Sequence, residues 1–201
     1  MALTVILALA AGLSIPIGAA MSANRRLRSL CVQNELDHFV AAVGGGALLA
    51  AIALVLLPFG IEHASLISAS TAFLTGGVAF WLVSRWLGAR GGAPSQFLGM
   101  LLDFVPESVA LGASVATGST TAYLLAVLIA LQNMPQGFVA HHEMLAGNVS
   151  KARLWLLFLL APLAGPLAAF IGNAFLSANH WPLAMLMLFC SGGILYLIFQ
   201  D

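Results

Sequence analysis

Seven stretches of about 20 consecutive apolar residues run through this chain, and that is the length a helix needs to cross the hydrocarbon core of a bilayer. They cover residues 2–23, 39–60, 64–86, 95–116, 120–142, 154–176 and 181–200. Backbone N–H and C=O groups find no water in lipid and must be satisfied within the protein, so such runs predict helices. The connections between them are short. The expected fold class is therefore all-α, a polytopic membrane helix bundle with seven transmembrane helices, organised as a single transmembrane domain over residues 1–201. Composition supports the bilayer as solvent, because 61% of residues are hydrophobic and only 7% are charged, whereas a soluble domain is just under half apolar. The first run is too long for a signal-peptide core, and basic residues follow it instead of preceding it, so it is expected to be retained as a span.

The few charges are informative by their placement. Seven basic and seven acidic side chains cancel, which leaves no basic face for a phosphate backbone, and nucleic acid is not an expected partner. All seven positive charges fall in alternate connections. Arg25, Arg26 and Arg28 follow the first run, Arg85 and Arg90 lie around the end of the third, and Lys151 and Arg153 follow the fifth. The positive-inside rule then predicts an N-terminus outside and three cytoplasmic basic connections, in a plasma membrane such as a bacterial inner membrane. Cys31 in a polar loop and Cys190 in an apolar run make neither a disulfide framework nor a zinc-cysteine site. Asn148-Val149-Ser150 has a glycosylation pattern but falls on the cytoplasmic side of this topology. Trp81, Trp86, Trp155 and Trp181 near the ends of runs suit an interfacial belt. Gly44-Gly45-Gly46, Gly76-Gly77 and Gly192-Gly193 are read as close-packing positions that permit a homodimer without requiring one.

Against this background two carboxyl groups stand out. An ionised carboxylate in the middle of a spanning helix costs about 2.5 to 3.5 kcal/mol on insertion scales, yet the fourth run holds both Asp103 and Glu107. The i, i+4 spacing puts them on one face. At 1.5 Å per residue Asp103 lies roughly 13 Å in from the cytoplasmic end, near the midplane. Pro106 between them removes the amide hydrogen that the Leu102 carbonyl would accept. The fifth run repeats the grammar in Gln132-Asn133-Met134-Pro135-Gln136-Gly137, which leaves the Leu131 carbonyl in the same position and sets Asn133 and Gln136 at a similar depth. Two proline-broken polar helices meeting at mid-membrane are a common way to build an ion site in a transporter. The competing reading for Asn133 and Gln136 is interhelical hydrogen bonding alone, and Met134 is read as packing.

His141-His142-Glu143 closes the fifth run. Three consecutive helical residues point in three directions and cannot chelate one ion together. Helical periodicity sets Glu143 and Met144 on the face of Asn133 and Gln136, making Glu143 a candidate for an exit path, and leaves the histidines interfacial. Glu62 and His63, in the outer loop after the second run, could greet cations, but a solvated loop is the preferred reading.

The fourth and fifth runs resemble the ZIP family of divalent-metal transporters, whose fourth helix carries a His-Asn-x-Pro-Glu-Gly type motif and whose fifth carries a related Pro-Glu-Gly motif. The corresponding segments here are Asp103-Phe104-Val105-Pro106-Glu107-Ser108 and Gln132-Asn133-Met134-Pro135-Gln136-Gly137. The basic turn Gly147-Asn148-Val149-Ser150-Lys151-Ala152-Arg153 and the segment Leu163-Ala164-Gly165-Pro166-Leu167 are also similar to family counterparts. The resemblance implies eight helices with both termini outside, so seven runs ending at Gln200-Asp201 have the parity of a chain lacking its last helix. It also makes the departures visible. Asp103 stands at the histidine position and Phe104 at the asparagine, Asn133 and Gln136 replace acids, and Gly165 replaces a glutamate. Val55-Leu56-Leu57-Pro58-Phe59 replaces a polar His-Leu-Leu-Pro-Glu pattern. The resemblance therefore implies a metal site without the family's two-metal arrangement.

The resulting expectation is a ZIP-like transporter, not an enzyme and without a prosthetic group, whose substrate is one divalent metal ion such as zinc, iron or manganese. Asp103 and Glu107 are its anionic ligands and Asn133 and Gln136 its neutral ones. An all-oxygen set of this charge suits a hard cation better than zinc. The alternatives are a ZIP-like membrane protein that senses or binds a partner without transporting metal, or a transporter of protons, a monovalent ion or an organic cation. The lipid bilayer is the remaining expected partner.

Overall fold

The structure, a computed structural model, describes residues 1–24, 35–90, 95–147, 149–176 and 179–200. Arg25, Arg26, Arg28, Cys31, Asn148 and Asp201 lie outside the described residues. Within them, seven helical spans follow one another: α1 (Ala2–Ala23), α2 (Glu35–Ala51, continued by Ile52–Leu56 and Leu57–Glu62), α3 (Leu66–Arg90), α4 (Ser95–Ala116), α5 (Thr121–Ala146), α6 (Lys151–Leu160, then Ala161–Leu163, Ala164–Ile171 and Gly172–Leu176) and α7 (His180–Gln200). All seven are long and apolar enough to cross a membrane, and the boundaries agree with the sequence runs to within a few residues.

Prolines account for two of the irregular stretches. Pro58 lacks a backbone N–H and crowds the carbonyl four residues back, and the residues just before it, Ile52–Leu56, widen into a π-helical turn. In α6, Pro162 sits in the tight 3₁₀ turn Ala161–Leu163 that joins two α-helical stretches. Pro106 and Pro135, in contrast, lie inside α4 and α5 without ending them. The sequence reading of two broken helices is corrected on this point. A single missing donor removes one bond from the ladder, and the turns on either side continue.

Helices pack in couples through glycines that admit a neighbouring backbone. A Cβ at Gly18 of α1 would fall on the Met134 carbonyl oxygen of α5, and one at Gly137 on that of Ile15, so α1 and α5 cross backbone to backbone. Gly76 and Gly192 do the same for α3 with α7 against the carbonyls of Phe189 and Phe73. Gly112 and Gly172 do it for α4 with α6 against Ala169 and Val109. Small residues allow this approach and the dispersion contact that drives helix association in lipid. Of the glycine run in α2 only Gly44 touches a neighbour, Pro135 of α5. Gly45 and Gly46 have no described atom within 4 Å of a Cβ position.

The outward surface is apolar to a degree that water does not tolerate. Ile6, Leu54, Leu66, Leu74, Leu131, Leu167 and Phe175 are all exposed. The protein is an integral, multi-pass membrane protein. Trp81, Trp86 and Trp181 face outward as belt residues do, with the Arg85 guanidinium 5.8 Å from the Trp81 ring centre. Trp155 is different: its ring turns inward to within 5.6 Å of the His141 ring.

Candidate functional site

The site begins with the antiparallel approach of α4 and α5. Each carries two long polar side chains one turn apart, and antiparallel order brings the first of one helix opposite the second of the other. Gln136 donates its amide N–H to Asp103 Oδ2 at 3.0 Å, and Gln132 donates to Glu107 Oε2. The result is a ladder of two carboxylate–amide rungs across the helix interface, about 6 Å apart along the axis at 1.5 Å per residue. Asp103, Glu107 and Gln132 are buried and Gln136 is partly so.

This ladder is satisfied on one side only. Each glutamine gives its nitrogen to a carboxylate, which leaves its own carbonyl oxygen to find a donor elsewhere. Glu107 Oε1, Gln132 Oε1 and Gln136 Oε1 are all buried and have no hydrogen-bond partner among the described residues. Ser108 Oγ, on the next residue, is in the same condition. A buried polar atom without a partner costs about 1 to 3 kcal/mol. Several unpartnered oxygens beside two carboxylates form the kind of set that a hard cation satisfies, because oxygen lone pairs are what it coordinates.

Two sequence-assigned ligands fare differently. Gln136 faces Asp103 as expected. Asn133 is fully buried but turned toward α1, where its Nδ2 donates to the Ala11 carbonyl at 3.3 Å, while its Oδ1 has no hydrogen-bond partner among the described residues. The residue that takes its place opposite Glu107 is Gln132, which sequence reasoning did not assign as a ligand. The signal was present: Gln132 and Gln136 repeat the i, i+4 spacing of Asp103 and Glu107, whereas Asn133 does not. The fully buried Phe104 ring lies where a Cβ at Gly165 would meet it at 2.5 Å and one at Gly12 at 3.0 Å, so both glycines accommodate that ring.

No family model matches the chain, and no curated protein matches it. The chemistry of the site therefore rests on its own residues. Among the described residues no three His, Cys, Asp or Glu side chains come together as a metal-binding group, so any ion held between α4 and α5 takes its remaining ligands from other groups, such as the amide and hydroxyl oxygens of Gln132, Gln136 and Ser108.

At the C-terminal end of α5, His141 packs inside the bundle. It is buried, with Nδ1 3.1 Å from Ser22 Oγ of α1 and its ring 5.7 Å from that of Phe158 of α6. The reason is its register, one turn beyond Gly137, which carries it into the α1–α5 seam. Glu143 is exposed and Met144 buried, so of the two residues set on the face of Asn133 and Gln136 it is the apolar one that turns inward.

Proposed function

We propose that this protein is a ZIP-like transporter that moves one divalent metal ion through a mid-membrane site between α4 and α5. The observation that carries the reading is the ladder, in which two buried carboxylates one turn apart each face a glutamine whose carbonyl oxygen is unpartnered. On this reading Asp103 and Glu107 supply the negative charge, and Gln132 and Gln136 rotate their amides to offer oxygen instead of nitrogen. Such a set of two carboxylates and neutral oxygens favours a hard cation such as magnesium, manganese or calcium over zinc, which takes nitrogen or sulfur more readily. The Phe104 ring over Gly165 supports one ion and not two, because it fills the positions where the family resemblance would put a second set of ligands.

The topology belongs to the same proposal, with the N-terminus outside and the Lys151–Arg153 end of α6 in the cytoplasm, in a plasma membrane. Alternating access then requires α4 and α5 to move with the ion relative to the other spans. The test is uptake into proteoliposomes over magnesium, manganese, calcium, iron, zinc and cadmium, with Glu107→Ala as the control. Flux of at least one of these metals that Glu107→Ala abolishes supports the proposal. Flux of none of them, or flux untouched by the substitution, refutes it.

A further inference from the structure

Far from the ladder in sequence and in depth, two histidines meet at the opposite end of the bundle from the basic Lys151–Arg153 turn. His63 follows the last turn of α2 and His180 begins α7, 117 positions later, yet their ring centres lie 4.9 Å apart with planes inclined by 32°. The His63 ring stacks on Phe59 at 4.3 Å. Its Nδ1 is 3.0 Å from the Phe59 carbonyl oxygen. A carbonyl can only accept, so Nδ1 carries the proton, and in the neutral ring the lone pair is left on Nε2. A histidine whose outer nitrogen is held by a backbone carbonyl while the other is free is the usual arrangement of a metal-binding imidazole.

The separation of the two rings fits the same chemistry. With a metal–nitrogen bond of about 2.0 to 2.1 Å, an imidazole ring centre lies about 3.2 Å from the ion, and two such ligands at 90 to 109° have ring centres about 4.5 to 5.2 Å apart. The observed 4.9 Å falls within that interval. His63 is partly buried and His180 exposed, so an ion has access from solvent.

We propose that His63 and His180 form a second, separate metal site that takes one borderline transition-metal dication such as zinc, nickel or copper and bridges the ends of α2 and α7. Imidazole nitrogen selects these metals, whereas the all-oxygen ladder selects hard ones. The two sites therefore discriminate between different cations. No third His, Cys, Asp or Glu joins the pair among the described residues, and water completes the coordination.

The test uses the full chain in detergent carrying Glu107→Gln, which weakens the central ladder about a hundredfold, so that binding at the histidine pair is read separately and the outcome is independent of the transport proposal. Calorimetric titration with zinc chloride is expected to show one site that magnesium chloride does not fill, and zinc K-edge absorption is expected to show scattering from two imidazole rings. His63→Phe and His180→Phe preserve ring packing at the same positions, so the fold is retained, and each is expected to weaken zinc binding at least about tenfold. Zinc binding unchanged in both phenylalanine variants, or no zinc binding by the folded parent, overturns the proposal.

Discussion

Glu107→Gln separates a ligand from a packing residue. The amide has the volume of the carboxyl group, and its oxygen still accepts from Gln132, so the α4–α5 contact survives. What it loses is the charge. At an effective dielectric constant of 20 a carboxylate attracts a divalent ion 4 Å away by about 8 kcal/mol. Dehydration of the ion and the site offsets most of that, and a remainder of about 2.7 kcal/mol corresponds to roughly a hundredfold in affinity. The same quantity is readable as thermal stability. A ligand present at 100 times its dissociation constant stabilises the native state by about 2.7 kcal/mol. In a chain of 201 residues each kcal/mol moves Tm by about 2 to 4 °C, so on the proposed function saturating magnesium or manganese is expected to raise the parent Tm by roughly 5 to 11 °C. At the same metal concentration the variant stands near its own dissociation constant and gains only about 0.4 kcal/mol, or roughly 1 to 2 °C. Without metal, Glu107→Gln is expected to melt no lower than the parent, since it puts no charge into a fully buried position. Differential scanning fluorimetry in detergent, with and without metal, reads both effects. An unchanged metal-induced shift in the variant would falsify the assignment of Glu107 as a ligand.

Further expectations follow from the same geometry. Gln132→Leu is expected to weaken metal binding by tenfold or more while Asn133→Leu acts mainly on stability, because of these two residues only Gln132 faces a carboxylate; isothermal titration and melting of the two variants compare them directly. Phe104→Ala empties the space over Gly12 and Gly165 and is expected to cost about 3 to 5 kcal/mol, read as a lowered Tm. Gly112→Ala drives a methyl group into the Ala169 carbonyl and is expected to destabilise by about 1 to 3 kcal/mol, whereas Gly45→Ala meets nothing and is expected to be neutral or mildly stabilising in the same melting assay.

The helices and their number were legible in the sequence because crossing a bilayer is a local requirement. Twenty apolar residues satisfy it whatever the neighbouring chain does, and the structure places all seven spans where the runs lie. The acidic pair was legible for a related reason: a carboxylate in such a run is costly wherever the helix packs, and periodicity alone puts Asp103 and Glu107 on one face. Periodicity does not say how one helix is rotated against another. That rotation depends on which glycines admit a foreign backbone, and here the contacts of Gly18 with Met134 and of Gly137 with Ile15 turn Asn133 toward α1 and leave Gln132 and Gln136 facing α4. The same kind of contact, Gly76 and Gly192 against the opposing chain, seats α7 beside α3. His180 meets His63 where α7 begins beside the end of α2. Sequence thus determined what each span is and which costly groups it buries. Tertiary packing decided which groups those meet, because contacts between residues far apart in the chain are set by close fit at the helix crossings and not by any local pattern.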